Sequence, residues 1–514
     1  MVNKIIFENE ITIWWDFDAF LNATEYKIYL NDVYHGKTEK THYTFSGLNS
    51  DCEYRVRVEA VNRCDGCGEE EIQIRTNRAK RRIDVTKAPY FAVGDGKTLN
   101  TTALQRALDD CSESDCVYVP KGVYITGALN MHGDSELYVE KDGVLQGTEN
   151  PEDYLPKIKS RFEGTEDFRY RSLINIGNLD ANGGYTTKNI VIRGKGTIFG
   201  GGAPLDKAIR CTEQQLLQKF LEENADYVKT CDNENVISSR ARGRLINISN
   251  CKNVVISGLT LGYAASWNVH FVYSKNIVTY GCKILSDVLI DENGTVIKDK
   301  VHNGDGWDPD SSEDCVCFDT VFNTYDDGIA IKSGKNDEGR LVGRPTRNVR
   351  IFDCRGKNGV AIGSELSGGI ENVYVWDCDF FNGIVGAVIK TTRKRGGYVR
   401  NVKMINCKVA DIRIAADYGC NDDGESNVKE LTAVENLSFE NIEVKGVFPY
   451  LDKRERYFFT VYLCGFDEPE YYFENMHFKN VNIYERENKE MQPIKIKNVK
   501  NLTMENVTYI SANE

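Results

Sequence analysis

Hydrophobic and polar residues alternate in short runs over about the first 76 residues of the chain. Clear examples are Ile11–Trp15, Glu25–Leu30 and Glu53–Val61, with turn-forming residues at Asn31–Asp32 and Gly47–Ser50 between them. Alternation of this kind is typical of half-buried strands, and several such strands separated by turns indicate a β-sandwich. We therefore predict a small all-β sandwich at residues 1–78.

From about residue 85 onward the pattern becomes an imperfect repeat, in which a charged residue and an Asn precede a short strand. The closest copies are 23, 24 or 26 residues apart. One short strand per repeat of this length is typical of a parallel β-helix, in which each coil stacks on the next. Since Asn tolerates the left-handed backbone conformation, we expect it to form the corner between strands. The Asn residues of the nine copies are Asn189, Asn253, Asn276, Asn348, Asn372, Asn401, Asn436, Asn475 and Asn501.

The two patterns divide the chain into a sandwich at 1–78, a linker at 79–87 and a parallel β-helix at 88–514. The basic run Arg75–Arg82 marks the linker, because charge runs are usually solvated; a nucleic-acid patch is the alternative. Ala103–Leu108 is the one clear amphipathic helix, suited to covering the open first coil. Stretches that depart from the repeat are predicted to be loops that shape a groove; they lie near residues 146–186, 203–241, 286–301 and 411–430.

Composition narrows the functional classes. The 514 residues include 64 Lys and Arg against 77 Asp and Glu, and the net charge of -13 argues against nucleic-acid binding through bulk charge. No run of about 18 apolar residues is present, so no membrane span is expected. Acidic residues near the N-terminus interrupt any signal-peptide core, which favours a cytoplasmic protein.

The 16 cysteines do not have the clustered spacing of a disulfide scaffold. Many lie in strand-like runs, which favours reduced and buried thiols. These are Cys251, Cys282, Cys315, Cys317, Cys354, Cys378 and Cys407. Cys64 and Cys67 have the spacing of half a zinc site, but without a second pair a turn or a chance pair is favoured. No metal or cofactor is expected.

Carboxylates are concentrated in two neighbouring repeats. Asp305 lies in the segment 302–312, and Asp326 and Asp327 lie in the segment 325–334. Asp305 and Asp326 are 21 residues apart, about one coil, so the three carboxylates are expected to stack on one small patch. Like charges held together raise the pKa of one member, which suits a general acid beside a general base in glycoside hydrolysis. Turn formation and Ca²⁺ binding are the competing explanations.

These motifs resemble glycoside hydrolase family 28, the polygalacturonase family of right-handed parallel β-helices, over about residues 85–510. Asn303–Asp305 matches the family's Asn-Thr-Asp motif, and Asp326–Asp327 matches its Asp-Asp pair. The resemblance implies that Asp326 is the general acid, that Asp305 and Asp327 activate water, and that hydrolysis inverts the anomeric centre. The first 78 residues resemble a fibronectin type III module.

Further residues are similar to the bacterial exo-acting branch of the family. They are the run Gly363–Gly369, which contains Glu365, and the pair Trp267 and His270. Around the carboxylates a group of cations is a candidate anion-binding rim, although the basic run at 393–395 is equally typical of a solvated turn. The group comprises Lys332, Lys335, Lys390, Arg393, Lys394 and Arg395.

Two departures from the family pattern concern the substrate. The family's Gly-His-Gly motif is absent, and Lys357 or Asn358 occupies that place. Its Arg-Ile-Lys motif reads Val388-Ile389-Lys390, so the Lys is kept and the Arg is lost. A Val cannot grip a carboxylate as a planar Arg fork does. Lys357 is a candidate replacement cation. Further candidate substrate-binding residues are His270, His302 and Asn303, which follows His302 in the sequence.

The sequence therefore favours an exo-acting hydrolase of α-1,4-galacturonosidic bonds in pectin-derived oligosaccharides. Rhamnogalacturonan or substituted galacturonan linkages are the alternative within the hydrolases. A Ca²⁺-dependent lyase and a non-catalytic carbohydrate-binding β-helix are the alternatives from other classes. The expected partner is a pectic oligosaccharide, with no nucleic acid and no membrane.

Overall fold

The computed structural model describes residues 1–20, 23–61, 68–291, 293, 295–381, 383–445, 454–485 and 492–511. The chain divides into two compact units, Met1–Arg82 and Ile83–Glu514. Cys64 and Cys67 lie outside the described residues, so the interpretation of that pair stays a prediction.

The first unit contains two antiparallel sheets around one core. Ile11, Ile13 and Trp15 pack in that core against Ile28 and Val56. One sheet consists of Asn3–Ile6, Glu10–Trp14 and His42–Ser46, and the other of Val33–Thr38, Glu25–Leu30, Glu53–Val61 and Glu69–Arg75. The likeness to a fibronectin type III module stays a prediction.

The second unit is a right-handed parallel β-helix, as the repeat predicts. One parallel sheet carries the site described below and is called the site sheet. Its strands are Leu129–Met131, Ile174–Ile176, Ile246–Ser249, Val269–Val272, Trp307–Asp310, Ile329–Ile331, Val360–Ile362, Ala387–Lys390, Ile412–Ala415, Phe459–Cys464 and Gln492–Lys497.

The other strands of the coils form a second, larger sheet, called the outer sheet. They are Arg81–Asp84, Asp95–Leu99, Asp115–Val119, Gly122–Thr126, Glu136–Val139, Gly143–Gly147, Thr187–Gly194, Thr197–Phe199, Cys251–Ser257, Thr260–Gly262, Lys275–Tyr280, Lys283–Leu285, Glu313–Phe318, Val321–Asn323, Thr346–Phe352, Arg355–Gly356, Ile370–Trp376, Asp379–Phe380, Tyr398–Val409, Ala433–Lys445, Phe473–Tyr484 and Val499–Ile510. Two short antiparallel hairpins project from the coils, Ile158–Phe162 with Thr165–Arg169 and Leu289–Ile290 with Val296–Lys298.

The repeated Asn residues explain why the coils stack in register. All nine have positive φ, between 50° and 61°, which confirms the predicted left-handed corners. Each side-chain amide also bonds to the equivalent residue of the preceding coil, for example Asn372 Nδ2 to Asn348 Oδ1 at 3.2 Å and Asn401 Nδ2 to Asn372 Oδ1 at 3.1 Å. Between Asn276 and Asn348 the ladder passes through Asp314, whose Oδ1 accepts from Asn348. The corner residue thus sets both the backbone turn and the register between coils.

Stacked side chains fill the space between the two sheets. Apolar residues of successive strands, such as Val349, Val373 and Val402, lie one above the other in a continuous core. On the outer sheet an aromatic column runs from Phe318 through Phe352 to Trp376, with ring centroids 4.8 and 4.4 Å apart. The seven cysteines that the sequence places in strands are all buried and free, which confirms their prediction as packed thiols.

Helices lie outside the regular coils. Thr101–Asp109 buries Leu104, Ala107 and Leu108 in the core, as its pattern predicts. The prediction of a loop at residues 203–241 was wrong, because much of this stretch is helical; we call residues 202–240 the helical insertion. Buried Leu205 and Ile209 are spaced four apart there, a helical signal. The helices are Thr101–Asp109, Gly202–Leu216, Gln218–Glu223, Ala225–Val228, Val236–Ser239 and Asn336–Val342, with 3₁₀ turns at Pro151–Tyr154, Glu455–Phe458 and Pro469–Tyr471.

The boundary of the β-helix lies earlier than the predicted linker at 79–87 allows. Ile83 and Val85 are buried in the β-helix core, and Val85 N donates to Tyr118 O at 3.1 Å. No helix among the described residues has the length and apolar character needed to cross a membrane. A cytoplasmic location stays a prediction.

Candidate active site

A row of side chains on one face of the site sheet forms the floor of the site. Strand pairing sets His270 beside Asp308, and it sets Ala330, Ala361, Val388 and Arg413 in order along the following coils. Successive residues of a strand point to opposite faces, so the neighbours Trp307 and Ile329 enter the core while this row faces the other way. The middle of the floor is therefore made of small apolar side chains with charged groups at both ends.

The three predicted catalytic carboxylates come together immediately before these strands. Gly306 N donates to Asp327 O at 3.1 Å, and Trp307 N donates to Gly328 O at 3.1 Å. Asp305 is therefore opposite Asp327, and the coil contains 22 residues, which agrees with the prediction that the 21 residues from Asp305 to Asp326 span about one coil. Asp326 is the partly exposed member of the group, while Asp305 and Asp327 are each 4% exposed.

Each of the two buried carboxylates has its own ammonium partner. Lys332 Nζ lies 3.0 Å from Asp305 Oδ2, and Lys390 Nζ lies 2.7 Å from Asp327 Oδ2. Asp326 Oδ1 accepts the backbone N–H of Asp327 at 2.9 Å. Within the described residues, no cation pairs with the Asp326 carboxyl. Asp326 is thus the member of the three whose charge is not directly balanced.

The electrostatics follow from this pairing. Burial raises the pKa of Asp326, and the neighbouring Asp327 carboxylate raises it further. Burial raises the pKa of Asp305 well above its usual range, although the Lys332 ammonium opposes that rise. Burial alone would lower the pKa of Lys390, yet Asp327 raises it, so the ammonium stays charged. Two ammonium groups therefore pair with Asp305 and Asp327, and Asp326 is the carboxyl whose raised pKa is not opposed by a directly bound cation among the described residues.

A fourth carboxyl, Asp308, belongs to the same cluster and was not singled out from the sequence. It is fully buried on the floor, 3.6 Å from Lys332 Nζ, and neither of its oxygens has a hydrogen-bond partner among the described residues. Burial raises the pKa of Asp308 to about 7. The signal was present, because Asp308 follows Asp305 by three residues, but the sequence could not show that it shares Lys332.

A cavity of about 460 Å³ opens beside this cluster, within the size range of small-ligand sites. Asp326, Asp327 and Lys390 line one part of it. The other lining residues are Asp232, Ile384, Val385, Arg413, Tyr418, Gly419, Cys420, Arg454 and Tyr457. Among the described residues, Lys390 is the one predicted substrate-binding residue that lines this cavity. The other two cations that line the cavity, Arg413 and Arg454, come from later coils and were not predicted from the sequence.

The predicted anion-binding rim is largely used for structural contacts. Lys335 Nζ pairs with Asp423 at 2.8 Å, and Arg393 pairs with Glu468. Arg395 is buried and donates to the backbone carbonyls of Ser364, Cys420 and Asn421. These cations fix loops around the cavity, whereas Lys332 and Lys390 hold the carboxylates.

The remaining predicted substrate-binding residues lie around the cluster rather than in the cavity. His270 is fully buried, and its ring centroid lies 4.9 Å from that of Trp267. Burial lowers the pKa of His270 to about 4, so the imidazole is neutral. His302 is exposed and packs against Tyr325, and Asn303 Oδ1 accepts from Arg242 at 2.7 Å.

Lys357 and Glu365 also have partners within the protein. Lys357 Nζ pairs with Asp287 at 2.6 Å at the surface. Glu365 is buried and accepts from Asn421 Nδ2 at 3.0 Å. Although burial alone would raise the pKa of Glu365, the Lys332 ammonium lowers it. Glu365 therefore adds negative charge to the surroundings of Lys332.

Asp232 of the helical insertion lines the cavity together with Tyr418, Gly419 and Cys420 of the segment 417–424, and these residues form one wall of it. Tyr227 Oη donates to Asp423 Oδ2 at 2.8 Å, and Arg240 pairs with Asp423 through two nitrogens. Asp232, which lines the cavity, accepts the backbone N–H of Asn421 at 2.9 Å. Burial alone would raise the pKa of Asp423, but Arg240 and Lys335 hold it well below its usual range. The wall is thus anchored by a buried ionic cluster.

The family model for glycosyl hydrolases family 28 matches residues 132–450, more than half of the chain, and this stretch contains every carboxylate of the cluster. The chain belongs to glycosyl hydrolase family 28. It is therefore a glycoside hydrolase, and the predicted family, fold class and enzyme class are confirmed.

Two relatives of this family 28 enzyme carry more detailed names. It is 30% identical over 376 residues to a probable polygalacturonase of Vitis vinifera, in an alignment that spans 70% of this chain and 68% of the relative. It is 26% identical over 403 residues to an exo-poly-alpha-D-galacturonosidase of Dickeya chrysanthemi, spanning 73% of this chain and 64% of that enzyme. The alignments thus span about two thirds of each relative's length.

Solved structures with the same fold include two exopolygalacturonases. The family 28 exopolygalacturonase of Yersinia enterocolitica superposes with a TM-score of 0.79 over 100% of this chain and 96% of its own, at 20% identity. A hyperthermoactive exopolygalacturonase from Thermotoga maritima gives a TM-score of 0.64 over 84% of this chain and 92% of its own, at 23% identity. At these identities the likeness establishes the fold.

Proposed function

We propose that this family 28 enzyme is an inverting exo-polygalacturonase that releases galacturonate from the end of α-1,4-linked galacturonan oligomers. The observation that carries the proposal is the division of labour among the carboxylates: Asp305 and Asp327 each have an ammonium partner, and Asp326 has none. The names of the Vitis and Dickeya relatives support the substrate.

In the proposed mechanism Asp326 is the general acid. Its raised pKa favours the protonated carboxyl, and its position at the cavity lets it protonate the leaving glycosidic oxygen. Asp327 and Asp305, each beside an ammonium group, position the attacking water, and one of the two carboxylates accepts its proton. Water attacks the anomeric carbon from the face opposite the leaving group, so an α-linkage yields a β-configured product.

The wall formed by the helical insertion supports exo action. An end-acting enzyme needs a cavity that closes beyond the terminal sugar, whereas an internal cutter needs a groove open at both ends. Asp232 and the segment 417–424 lie at the cavity, and the Asp423 cluster holds that segment in place. A buried charge cluster of this kind resists displacement, because separating one partner leaves an uncompensated charge.

Product analysis tests the proposal. Oligogalacturonides of defined length should yield free galacturonate and the oligomer shortened by one residue as the first products, and proton NMR during the first turnovers should show the β-anomer of galacturonate. A ladder of internal fragments would contradict exo action, and an initial α-anomer would contradict inversion. A product with a new double bond, detected by its ultraviolet absorbance, would indicate a lyase instead.

Hydrolysis of rhamnogalacturonan or substituted galacturonan linkages is the second candidate function. What favours it is the apolar Val388 and the surface-paired Lys357 at two places where the family pattern has Arg and His. A panel of galacturonan, rhamnogalacturonan and xylogalacturonan oligomers distinguishes the two candidates, since the true substrate should be hydrolysed with the highest kcat/KM.

A further inference from the structure

Val388 is a packing residue, although the sequence aligns it with a substrate-gripping Arg. It is 2% exposed and belongs to an apolar cluster with Ala361, Ala415 and Tyr462. No cation of its own strand replaces the lost fork, because Lys390 is occupied by Asp327. Any planar cation for a carboxylate must therefore come from another coil.

Arg413 lies directly beside Val388 on the next strand. The two residues are strand partners in the parallel sheet, so their backbones are about 4.8 Å apart and their side chains leave the same face. Arg413 lines the cavity together with Asp326, Asp327 and Lys390. The guanidinium is therefore displaced by a single coil from the position expected for the family's Arg.

Three contacts hold the Arg413 side chain in one orientation. Its Nε lies 2.6 Å from Asp411 Oδ2, and its Nη2 donates to the Ile384 carbonyl at 2.6 Å. Its Cζ lies 4.6 Å from the centre of the Tyr457 ring, which supports the guanidinium plane. Because the fork is already oriented, little side-chain entropy remains to be lost when a ligand binds.

Two nitrogens of this guanidinium, Nε and Nη1, make no hydrogen bond to any described residue, although Nε forms an ion pair with Asp411. Arg413 is 1% exposed, so Nη1 is a buried donor. A buried donor left unsatisfied costs about 1–3 kcal/mol, and more when it is charged, so such a group in a cavity is suited to a ligand acceptor. A carboxylate is the acceptor that an Arg fork binds best.

We propose that Arg413 is a specificity-determining residue that binds the carboxylate of a uronic acid residue in the cavity. The inference rests on the proposed function, because it names the group by which that site selects its substrate. Two tyrosines that line the cavity connect Lys390 with Arg413. Lys390 Nζ lies 5.5 Å from the centre of the Tyr418 ring, and Tyr418 Oη lies 3.1 Å from the Oη of Tyr457, against which Arg413 packs. Lys390 thus binds the catalytic carboxylate, and Arg413 binds the substrate carboxylate.

The test compares an ionised substrate with its neutral ester. The kcat/KM values for digalacturonate and for its methyl ester are measured with the wild-type chain, Arg413→Gln and Arg413→Lys. Arg413→Gln should lower kcat/KM for digalacturonate about 10- to 100-fold, which corresponds to the loss of one or two charge-assisted hydrogen bonds. It should change kcat/KM for the methyl ester by less than about threefold. Arg413→Lys should also lose most of the discrimination, since a point charge does not reproduce the fork.

Arg456→Gln is the matched control. Arg456 is equally buried, and its Cζ lies 4.0 Å from the Tyr418 ring and 5.3 Å from the Tyr457 ring, but it does not line the cavity. Its loss should affect both substrates by the same factor. If Arg413→Gln also lowers kcat/KM for both substrates by the same factor, the role of Arg413 is structural and the proposal is wrong. Should Arg413→Gln fail to fold, Arg413→Lys decides by the same ratio.

Calorimetric binding of galacturonate and galactose to the full chain separates this inference from the proposed function. A wild-type chain that does not cleave digalacturonate refutes the proposed function. Even so, a preference for galacturonate over galactose that falls about tenfold or more in Arg413→Gln would support the role of Arg413. An unchanged preference, or no binding of galacturonate by the wild type, would overturn it.

Discussion

The surroundings of Asp308 predict how the free energy of unfolding changes with pH. Burial raises the pKa of the Asp308 carboxyl from 3.8 to about 7 in the folded chain. Between these values the folded state keeps a proton that the unfolded state releases, so stability falls as pH rises from about 4 to about 7. At about 1.4 kcal/mol per pKa unit, the penalty reaches about 4 kcal/mol above pH 7.

Asp308→Asn removes this penalty while keeping the shape of the protonated side chain. The variant should equal the wild type in stability near pH 4 and exceed it by up to about 4 kcal/mol at pH 8. Urea unfolding of the β-helix, followed by far-ultraviolet circular dichroism at several pH values, measures the difference. The prediction concerns the change of that difference with pH, which a simple packing effect would not produce.

Asp423→Asn is a matched control of opposite sign. Although burial alone would raise the pKa of Asp423, Arg240 and Lys335 hold it well below its usual range, so its carboxylate contributes stability above the unfolded pKa. This variant should be less stable than the wild type at pH 8, by about 3–5 kcal/mol, because buried Lys335 loses its carboxylate partner and Arg240 keeps only Glu163. A pH-independent difference between wild type and Asp308→Asn would refute the charge assignment of the cluster.

Two other substitutions follow from the same structure. Lys390→Met should lower kcat/KM on oligogalacturonides by about 10²-fold or more, because Asp327 loses its ammonium partner. Lys497→Met, which breaks the surface pair with Asp467, should leave kcat/KM unchanged. Asn372→Ala should lower the free energy of unfolding by about 1–2 kcal/mol, since it breaks the amide ladder and puts Ala at a φ of 57°. Asn372→Gly should lower it less, because Gly adopts this φ without strain. Urea unfolding measures both variants, and equal losses would contradict the role of Asn as the left-handed corner.

The fold was predictable because each coil repeats the same local rule. Every Asn that leads a repeat occupies the left-handed region, and the apolar positions that follow it enter the core. The helical insertion was missed because repeat matching treats any departure as a loop, although Leu205 and Ile209 show a helical spacing. The sequence placed Asp305 about one coil before Asp326 and Asp327, and only the backbone pairing shows that Asp305 is opposite Asp327.

The site was only partly predictable, because strand stacking joins residues that are distant in sequence. The carboxylates could be found because they are dense within two coils. Arg413 lies 87 residues beyond Asp326 in a segment without a motif, and only the pairing of Val388 with Arg413 reveals it. Conversely, Arg393 and Arg395 are close to Lys390 in sequence, yet they are used by Glu468 and by backbone carbonyls.

The most direct test of the account is the turnover of Asp326→Asn on digalacturonate. The substitution removes the proton donor but little volume, and no ion pair of Asp326 within the described residues is broken. We expect a loss of about 10²- to 10⁴-fold in kcat, with unfolding and galacturonate binding unchanged. Activity within a few-fold of the wild type in this folded variant would contradict the assignment of Asp326 as the general acid.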